Sequence, residues 1–354
     1  MHKRIVFFIG TLMEGGAERV ISILSSYFAA HEYEVEILMY YDREVFYQID
    51  PRVKIVSVER EVQGNLIRKI QWLRKHLSAK ADIVISFLCT LNMVAITSLL
   101  GTGKPIIVAD RNDPSKTPEK AVLRGVRNFL YRFSSKVVVQ TTHNYEYFPF
   151  AVKKNAVVIP NPVNMGDSVG LALRTEKKKR IVSIGRLIPQ KNQKLLIAAF
   201  NEVVKAFPEY TLTIYGEGES RGELENYIKR LGIGAIVDLP GSKKNVHGLM
   251  ADASLFVLPS LYEGMPNVLI EAMCLGLPCI STMVSGADDL IQNNESGLIV
   301  KNNDQDDMVR AMTELLSNEA LRNSFGEQAV KVAEKLTPET IASEWERVIK
   351  SLLI

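Results

Sequence analysis

Two stretches, K-R-I-V-F-F-I-G-T-L at Lys3–Leu12 and K-R-I-V-S-I-G-R-L at Lys179–Leu187, open the two halves of this chain alike. In each, an apolar run long enough for a buried parallel strand stops at a glycine, Gly10 or Gly185. A loop and an amphipathic helix follow both times. Val20, Ile21, Leu24 and Phe28 share one face of the first helix, expected over Ala17 to Ala30. Leu195, Leu196, Ala199, Phe200 and Val203 share a face of the second, with Asn192 as its expected N-cap. Further strand-like runs alternate with helical ones. The first half has V-E-I-L-M-Y, I-V-I-S-F-L, P-I-I-V-A and K-V-V-V-Q-T; the second has Y-T-L-T-I-Y-G, I-V-D-L, S-L-F-V-L-P-S, P-C-I-S-T and S-G-L-I-V. Such alternation predicts an α/β protein with two parallel sheets, each covered by helices on both faces.

The boundary falls in I-P-N-P-V-N at 159–164, where two prolines and two asparagines suit a stiff hinge. The expected domains are 1–163 and 164–336, followed by a last helix over 337–354. Thr337 caps that helix, Pro338 takes its first position, and Ile341, Trp345, Val348 and Leu352 form its apolar side. Ligands of doubly wound sheets bind at the carboxyl ends of the strands. Two such domains facing across a cleft would line it with glycine loops on both walls.

Composition narrows the function classes. The chain has 354 residues, 47% hydrophobic and 23% charged, with a net charge of only +3, so nothing in the total asks for nucleic acid. The charge is uneven: residues 1–165 carry 22 Lys and Arg against 15 Asp and Glu, and the remainder 21 against 25. A basic front half suits an anionic partner such as a phosphorylated lipid or a membrane surface. Cys89, Cys274 and Cys279 form no C-x-x-C pair, which argues against a disulfide framework or zinc site and for a reducing cytosol. The apolar start lacks a small-residue cleavage site and reads as a strand. The uncharged 83–103 stretch is broken by Ser86, Thr90, Asn92, Thr97 and Ser98, and reads as strand plus helix rather than a membrane span.

The most informative motif is Y-E-G-M-P-N-V-L-I-E-A-M-C-L-G-L-P, Tyr262 to Pro278. Glu263 lies in the loop after a strand, Pro266 and Asn267 open a helix, Glu271 sits inside it, and Gly276 with Pro278 ends it. Amide groups at that helix start favour an anion such as a diphosphate. Glu263 is placed for sugar hydroxyls and Glu271 for ribose hydroxyls. With this E-x7-E segment, the I-P-N-P-V-N hinge and G-R-L-I-P-Q-K-N at Gly185–Asn192, the whole chain resembles the retaining GT-B glycosyltransferases of glycosyltransferase family 4.

That resemblance implies two Rossmann-like domains, a nucleotide-sugar donor held mainly by the rear one, and a final helix crossing back to the front one. It assigns Glu263, Arg186 and Lys191 to catalysis, the two cations holding the departing diphosphate. Donor binding falls to Gly15, Gly16, Arg186, Lys191, Gly216, Gly241, Glu263, Gly264, Asn267, Val268 and Glu271. No cofactor is expected, the nucleotide-sugar being a co-substrate, and no metal. D-Q-D-D at Asp304 imitates a metal-binding D-x-D, but Asp304 is better read as a helix cap. G-T-G-K at Gly101 lacks the rest of a P-loop. Where many relatives carry a histidine, this chain reads D-R-N-D-P at Asp110–Pro114, leaving Arg111 and Asn112 as candidate sugar or acceptor contacts.

Two basic helical stretches, Asn65 to Lys80 and Ala121 to Lys136, are candidates for an anionic membrane or a polyprenyl diphosphate; domain helices with solvated faces are the alternative. The expected function is metal-independent transfer, with retention, of a hexose or N-acetylhexosamine from a UDP-sugar to a glycan or polyprenyl-diphosphate-linked acceptor. The expected site is cytoplasmic, peripheral on the inner face of the membrane. A sugar-nucleotide epimerase and an inactive nucleotide-sugar-binding subunit are the alternatives.

Overall fold

The computed structural model describes residues 3–243 and 245–353. The chain divides into two compact units, one running up to Asn164 and resuming at Leu336, the other spanning Met165–Lys335.

The first unit holds seven strands: β1 (Arg4–Ile9), β2 (Glu34–Met39), β3 (Lys54–Ser57), β4 (Ile83–Phe87), β5 (Ile106–Ala109), β6 (Lys136–Val139) and β7 (Ala156–Val158). They form one sheet in the order β3-β2-β1-β4-β5-β6-β7, and every pairing is parallel. Ile5, Phe7 and Ile9 on β1 and Ile83 to Ile85 on β4 are fully or almost fully buried, as a two-sided parallel sheet requires. The helices used below are α1 (Gly16–Ala30), α2 (Leu66–Lys80), α3 (Cys89–Leu99) and α4 (Ala121–Tyr131). Strands β3 and β7 were not among the expected ones. Both are short edge strands, of four and three residues; Ile55 on β3 is 38% exposed, and the short apolar run of β7 is only half-buried and stops before Pro160. The 83–103 stretch resolves into β4 and α3, and no helix among the described residues is long and apolar enough to cross a membrane.

The second unit repeats the plan with six strands: β8 (Arg180–Ile184), β9 (Thr211–Tyr215), β10 (Val237–Asp238), β11 (Leu255–Leu258), β12 (Cys279–Thr282) and β13 (Leu298–Val300). Their order is β10-β9-β8-β11-β12-β13, again all parallel. Its relevant helices are α5 (Gln193–Val203), α6 (Val246–Ala251), α7 (Asn267–Leu275) and α8 (Gln305–Ser317). Leu195, Leu196, Ala199, Phe200 and Val203 of α5 all lie in the core. Asn192 departs from expectation: it is left-handed at φ 48° and its side chain does not cap α5, its amide donating instead to Asn303 Oδ1 at 3.3 Å. A one-turn 3-10 helix over Pro189–Lys191 feeds straight into α5, so the residue sits in a tight junction rather than a free N-cap. Asp304 does cap α8, accepting from the Asp307 amide at 2.9 Å.

Helix α9 (Pro338–Leu352) returns to the first unit and packs on α1. Thr337 accepts from the Thr340 amide, with Pro338 in the first turn. Ile341, Trp345 and Ile349 are its buried side; Val348 and Leu352 are only half-buried, a turn-phase difference of one residue. The Trp345 ring stacks on Phe87 at 5.9 Å, and Tyr33 donates to Glu346 at 3.0 Å.

Candidate active site

In both sheets the strand order reverses direction once, between β1 and β4 and between β8 and β11. Helices and loops leave such a pair on opposite sides, opening a crevice at the carboxyl ends. In the second unit the two loops that border it are G-R-L-I-P-Q-K-N after β8 and Y-E-G-M-P after β11. They are the two motifs singled out by sequence, and the fold brings them together.

The contacts are specific. The Lys191 ammonium donates to Glu263 Oε1, and Ser260 Oγ donates to the same oxygen at 2.7 Å. Gln190 joins the loops twice: its side chain donates to the Tyr262 carbonyl at 2.8 Å, and its carbonyl accepts from the Leu261 amide at 2.8 Å. Glu263 is buried at 7% exposure, so the cation beside it offsets the cost of removing its charge from water. Arg186 is exposed, and its backbone is held by Gln193, whose amide donates to the Arg186 carbonyl at 2.9 Å. Gln193 is itself 3% exposed and was not foreseen; a buried glutamine in the first turn of a core helix is the signal that could have found it.

Two glycines make the β8 loop possible. A Cβ on Gly216 would stand 2.0 Å from the Gly185 carbonyl oxygen, and one on Gly218 2.3 Å from that of Leu187. Gly216 also sits at φ 147° and donates its amide to the Gly241 carbonyl, itself left-handed at φ 81°. At Gly216 and Gly218 the backbone is therefore packed closer than any side chain allows.

Asn267 and Val268 begin α7, half-buried, after the buried Gly264. The nine-residue helix ends in a left-handed Gly276 at φ 85°. Glu271 lies on its buried side at 3% exposure, and His247 of α6 reaches to 4.0 Å from its carboxylate. His247 was missed because nothing in the sequence links it to Glu271 24 positions on. Among the described residues no three His, Cys, Asp or Glu side chains cluster as metal ligands.

The first unit carries its own candidate residues. Gly15 precedes α1 and is clasped by Tyr47, whose hydroxyl accepts from the Gly15 amide at 3.3 Å and donates to its carbonyl at 2.9 Å. Gly16 opens α1 and is exposed. Tyr47, too, was not foreseen, since it is 32 residues away on a loop. After β5, the Arg111 guanidinium lies over Phe87 at 4.8 Å and Trp345 at 5.6 Å. All three of its nitrogens are buried without a hydrogen-bond partner, and burial pulls its pKa down to about 9 against the opposing pull of Asp110. Asn112 turns inward: its side-chain oxygen accepts from the Asp113 amide at 2.9 Å, and Asn144 donates to its carbonyl at 3.3 Å.

Beneath this loop, Tyr131 donates to Asp110 at 3.2 Å, Asn92 donates to Tyr131 at 2.9 Å, and Arg127 lies 3.9 Å from Asp110. Burial outweighs these partners and raises the Asp110 pKa to about 6. A carboxyl whose folded pKa exceeds its unfolded value binds more protons when folded, so its contribution to stability falls as pH rises from about 4 to about 6. Asp110→Asn should remove that fall, worth a few kcal/mol at most. The check is urea unfolding of wild type and variant at both ends of that window. Tryptophan emission suits it, because Trp72 and Trp345 both belong to the first unit.

Comparison with known proteins adds a family. Residues 172–332 match the family described as glycosyl transferases group 1. An α-1,4-N-acetyl-D-galactosaminyltransferase of Campylobacter jejuni, named for a diphospho-undecaprenol-linked acceptor, is 32% identical over 98% of each chain. The amylovoran biosynthesis glycosyltransferase AmsD of Erwinia amylovora is 26% identical over 99% of this chain and 100% of its own. The crystal structure of Anabaena HepE in complex with UDP superposes with a TM-score of 0.82 at 17% identity, covering 98% of this chain and 100% of that one, a likeness of fold.

Proposed function

The chain belongs to the glycosyl transferases group 1 and is a glycosyltransferase with the GT-B fold, and from this we propose that it transfers a hexose or N-acetylhexosamine from a UDP-sugar, with retention and without a metal, to a glycan or polyprenyl-diphosphate-linked glycan. The observation that carries the reading is the pairing of Lys191 with Glu263 where the loop that carries Arg186 is bonded to the loop before α7, at the strand-order reversal of the second unit. Two cations and a helix N-terminus there suit a diphosphate whose charge grows as its bond to the sugar breaks.

In the proposed step the C1–O bond of the donor breaks and its electrons pass to the diphosphate. The acceptor oxygen bonds to C1 from the same face, and its proton passes to a phosphate oxygen. Arg186, Lys191 and the α7 terminus stabilise the leaving group. Glu263 orients Lys191 and sugar hydroxyls, Glu271 takes ribose hydroxyls, and Gly15, Gly16, Gly216, Gly241, Gly264, Asn267 and Val268 supply backbone and shape. Asp304 serves as a helix cap, which leaves the D-Q-D-D segment a structural role and supports a metal-free step. Arg111, buried against two rings, is placed to shape the first unit's loop rather than to act as a base, being charged at neutral pH. A polyprenyl-linked acceptor would keep the enzyme in the cytoplasm, peripheral on the inner face of the membrane.

The test is a thermal-shift screen of nucleotide sugars with EDTA present, followed by product analysis. A donor at about 100 times its Kd should stabilise the second unit by about 2.7 kcal/mol, or roughly 5–10 °C. Product NMR should show the donor's anomeric configuration kept. Donor consumed without acceptor would favour an epimerase, and binding without any turnover an inactive subunit.

A further inference from the structure

Two arginines of the first unit with buried guanidinium groups are treated in opposite ways. Arg127 of α4, read from sequence as an outer cation, is fully buried, and all three of its nitrogens donate. Their acceptors are the Pro114 and Thr117 carbonyls at 2.8 and 2.6 Å and Asn128 Oδ1 at 3.1 and 2.9 Å. Such pairing is the ordinary condition for a charge inside a protein. Arg111 has none of it. Its Nε, Nη1 and Nη2 are shielded from solvent with no acceptor among the described residues, although the residue as a whole is only half-buried. What remains exposed is its backbone or stem, while the charged end is folded inward, the reverse of how a surface arginine snorkels.

The neighbours do not neutralise this charge. Asp110 opposes the effect of burial on Arg111, but Tyr131 donates to it and Arg127 stands 3.9 Å away, so two guanidinium groups share one carboxylate. Asp113 turns back on its own loop, accepting from the Ser115 amide at 2.8 Å. The guanidinium lies instead over Phe87 at 4.8 Å and Trp345 at 5.6 Å, and two aromatic faces recover only part of the cost of desolvating a cation. The fully buried Trp345 adds another donor without an acceptor among the described residues, its own Nε1. The place is the carboxyl end of β5, beside β4, which borders the strand-order reversal where doubly wound sheets receive ligands.

A group that satisfies this arginine must accept several hydrogen bonds and also bring negative charge. A sugar hydroxyl or a water does the first but not the second, which leaves a phosphate or a carboxylate. We propose that Arg111 is a stowed anion receptor, turning outward from the Phe87–Trp345 shelf to grip a phosphate or carboxylate oxyanion of a ligand. The surface position of the residue gives the side chain its reach, and its uncompensated burial lowers the cost of leaving the shelf. A substrate diphosphate and the carboxylate of an acidic sugar share this chemistry. The inference goes beyond the transfer reading and is tested without any donor.

The experiment uses the full chain carrying Trp72→Phe, which leaves Trp345 as the one tryptophan. Inorganic phosphate, acetate and chloride are titrated at matched ionic strength, reading Trp345 emission and thermal unfolding. Phosphate or acetate should move the emission to longer wavelength, saturably, as the guanidinium uncovers the ring. A response to phosphate gives the site to a phosphorylated ligand, and a response to acetate gives it to a carboxylate. Arg111→Lys should bind about fivefold more weakly or worse, a point charge replacing a fork. Arg111→Met keeps an apolar stem on the rings. It should abolish saturation yet raise the first unit's Tm by roughly 3–6 °C, because a buried, uncompensated charge is gone. A purely structural arginine would behave otherwise, with Arg111→Met lowering Tm and leaving the anion response unmoved; that result overturns the proposal. So does an emission change that chloride reproduces, one that survives in Arg111→Met, or no change with either oxyanion.

Discussion

Arg186→Ala is expected to lower kcat by about 10²-fold or more while leaving the fold intact, by analogy with loss of one preorganised donor to a developing charge. The physical reason is a difference between the two cations after β8. Lys191 already faces a carboxylate, Glu263, so part of its charge is spent before any donor arrives. Arg186 is exposed at the same loop, its carbonyl fixed by Gln193 and its neighbour Gly185 by the Tyr215 carbonyl. A guanidinium so placed can offer two parallel hydrogen bonds to a diphosphate, which a lysine cannot copy. Arg186→Lys should therefore recover only part of the loss. Steady-state kinetics with saturating donor and acceptor decide it, and a wild-type kcat for Arg186→Ala would remove the residue from the mechanism.

The second large effect is on the scaffold. Gly216→Ala places a methyl 2.0 Å from a backbone oxygen at a φ of 147°, so clash and backbone strain act together. The neighbour is the Gly185 carbonyl, which cannot swing aside as a side chain would; the loop must move. We expect about 3 kcal/mol of destabilisation or more, which for a unit of this size lowers its transition by roughly 6–12 °C. A displacement of the Arg186 loop by about 1 Å would cost a further factor of about 10² in turnover. Hydrogen exchange should loosen over residues 165–335, while tryptophan emission from the first unit keeps its midpoint. A variant as stable and as active as wild type would mean that the β8 and β9 loops are not in contact in solution.

The sequence was most legible where a local rule was also the tertiary rule. Buried parallel strands must be apolar on both faces, so β1, β4, β8 and β11 could be read directly, as could the α1 and α5 faces at helical spacing. Edge strands β3 and β7 escaped because they are short, four and three residues at the margins of the sheet, and on β3 polar ends interrupt the apolar signal. The cap at Asp304 obeyed its local chemistry. Asn192 did not, because a preceding 3-10 turn imposed a left-handed junction that no propensity encodes.

The site divides along the same line. The chain alone determined which loops carry charge and glycine, since Arg186, Lys191, Glu263 and Glu271 stand in motifs whose helix starts and strand ends are local features. Only the tertiary structure decided their partners: Lys191 with Glu263, His247 near Glu271, Tyr47 on Gly15, Gln193 behind Arg186. Those pairs join loops that leave different strands, and strand order, not sequence distance, sets which loops meet. It also decided which way α4 faces. Amphipathicity fixes that a helix has two sides, but the buried partners of Arg127 and Tyr131 choose the side that turns inward.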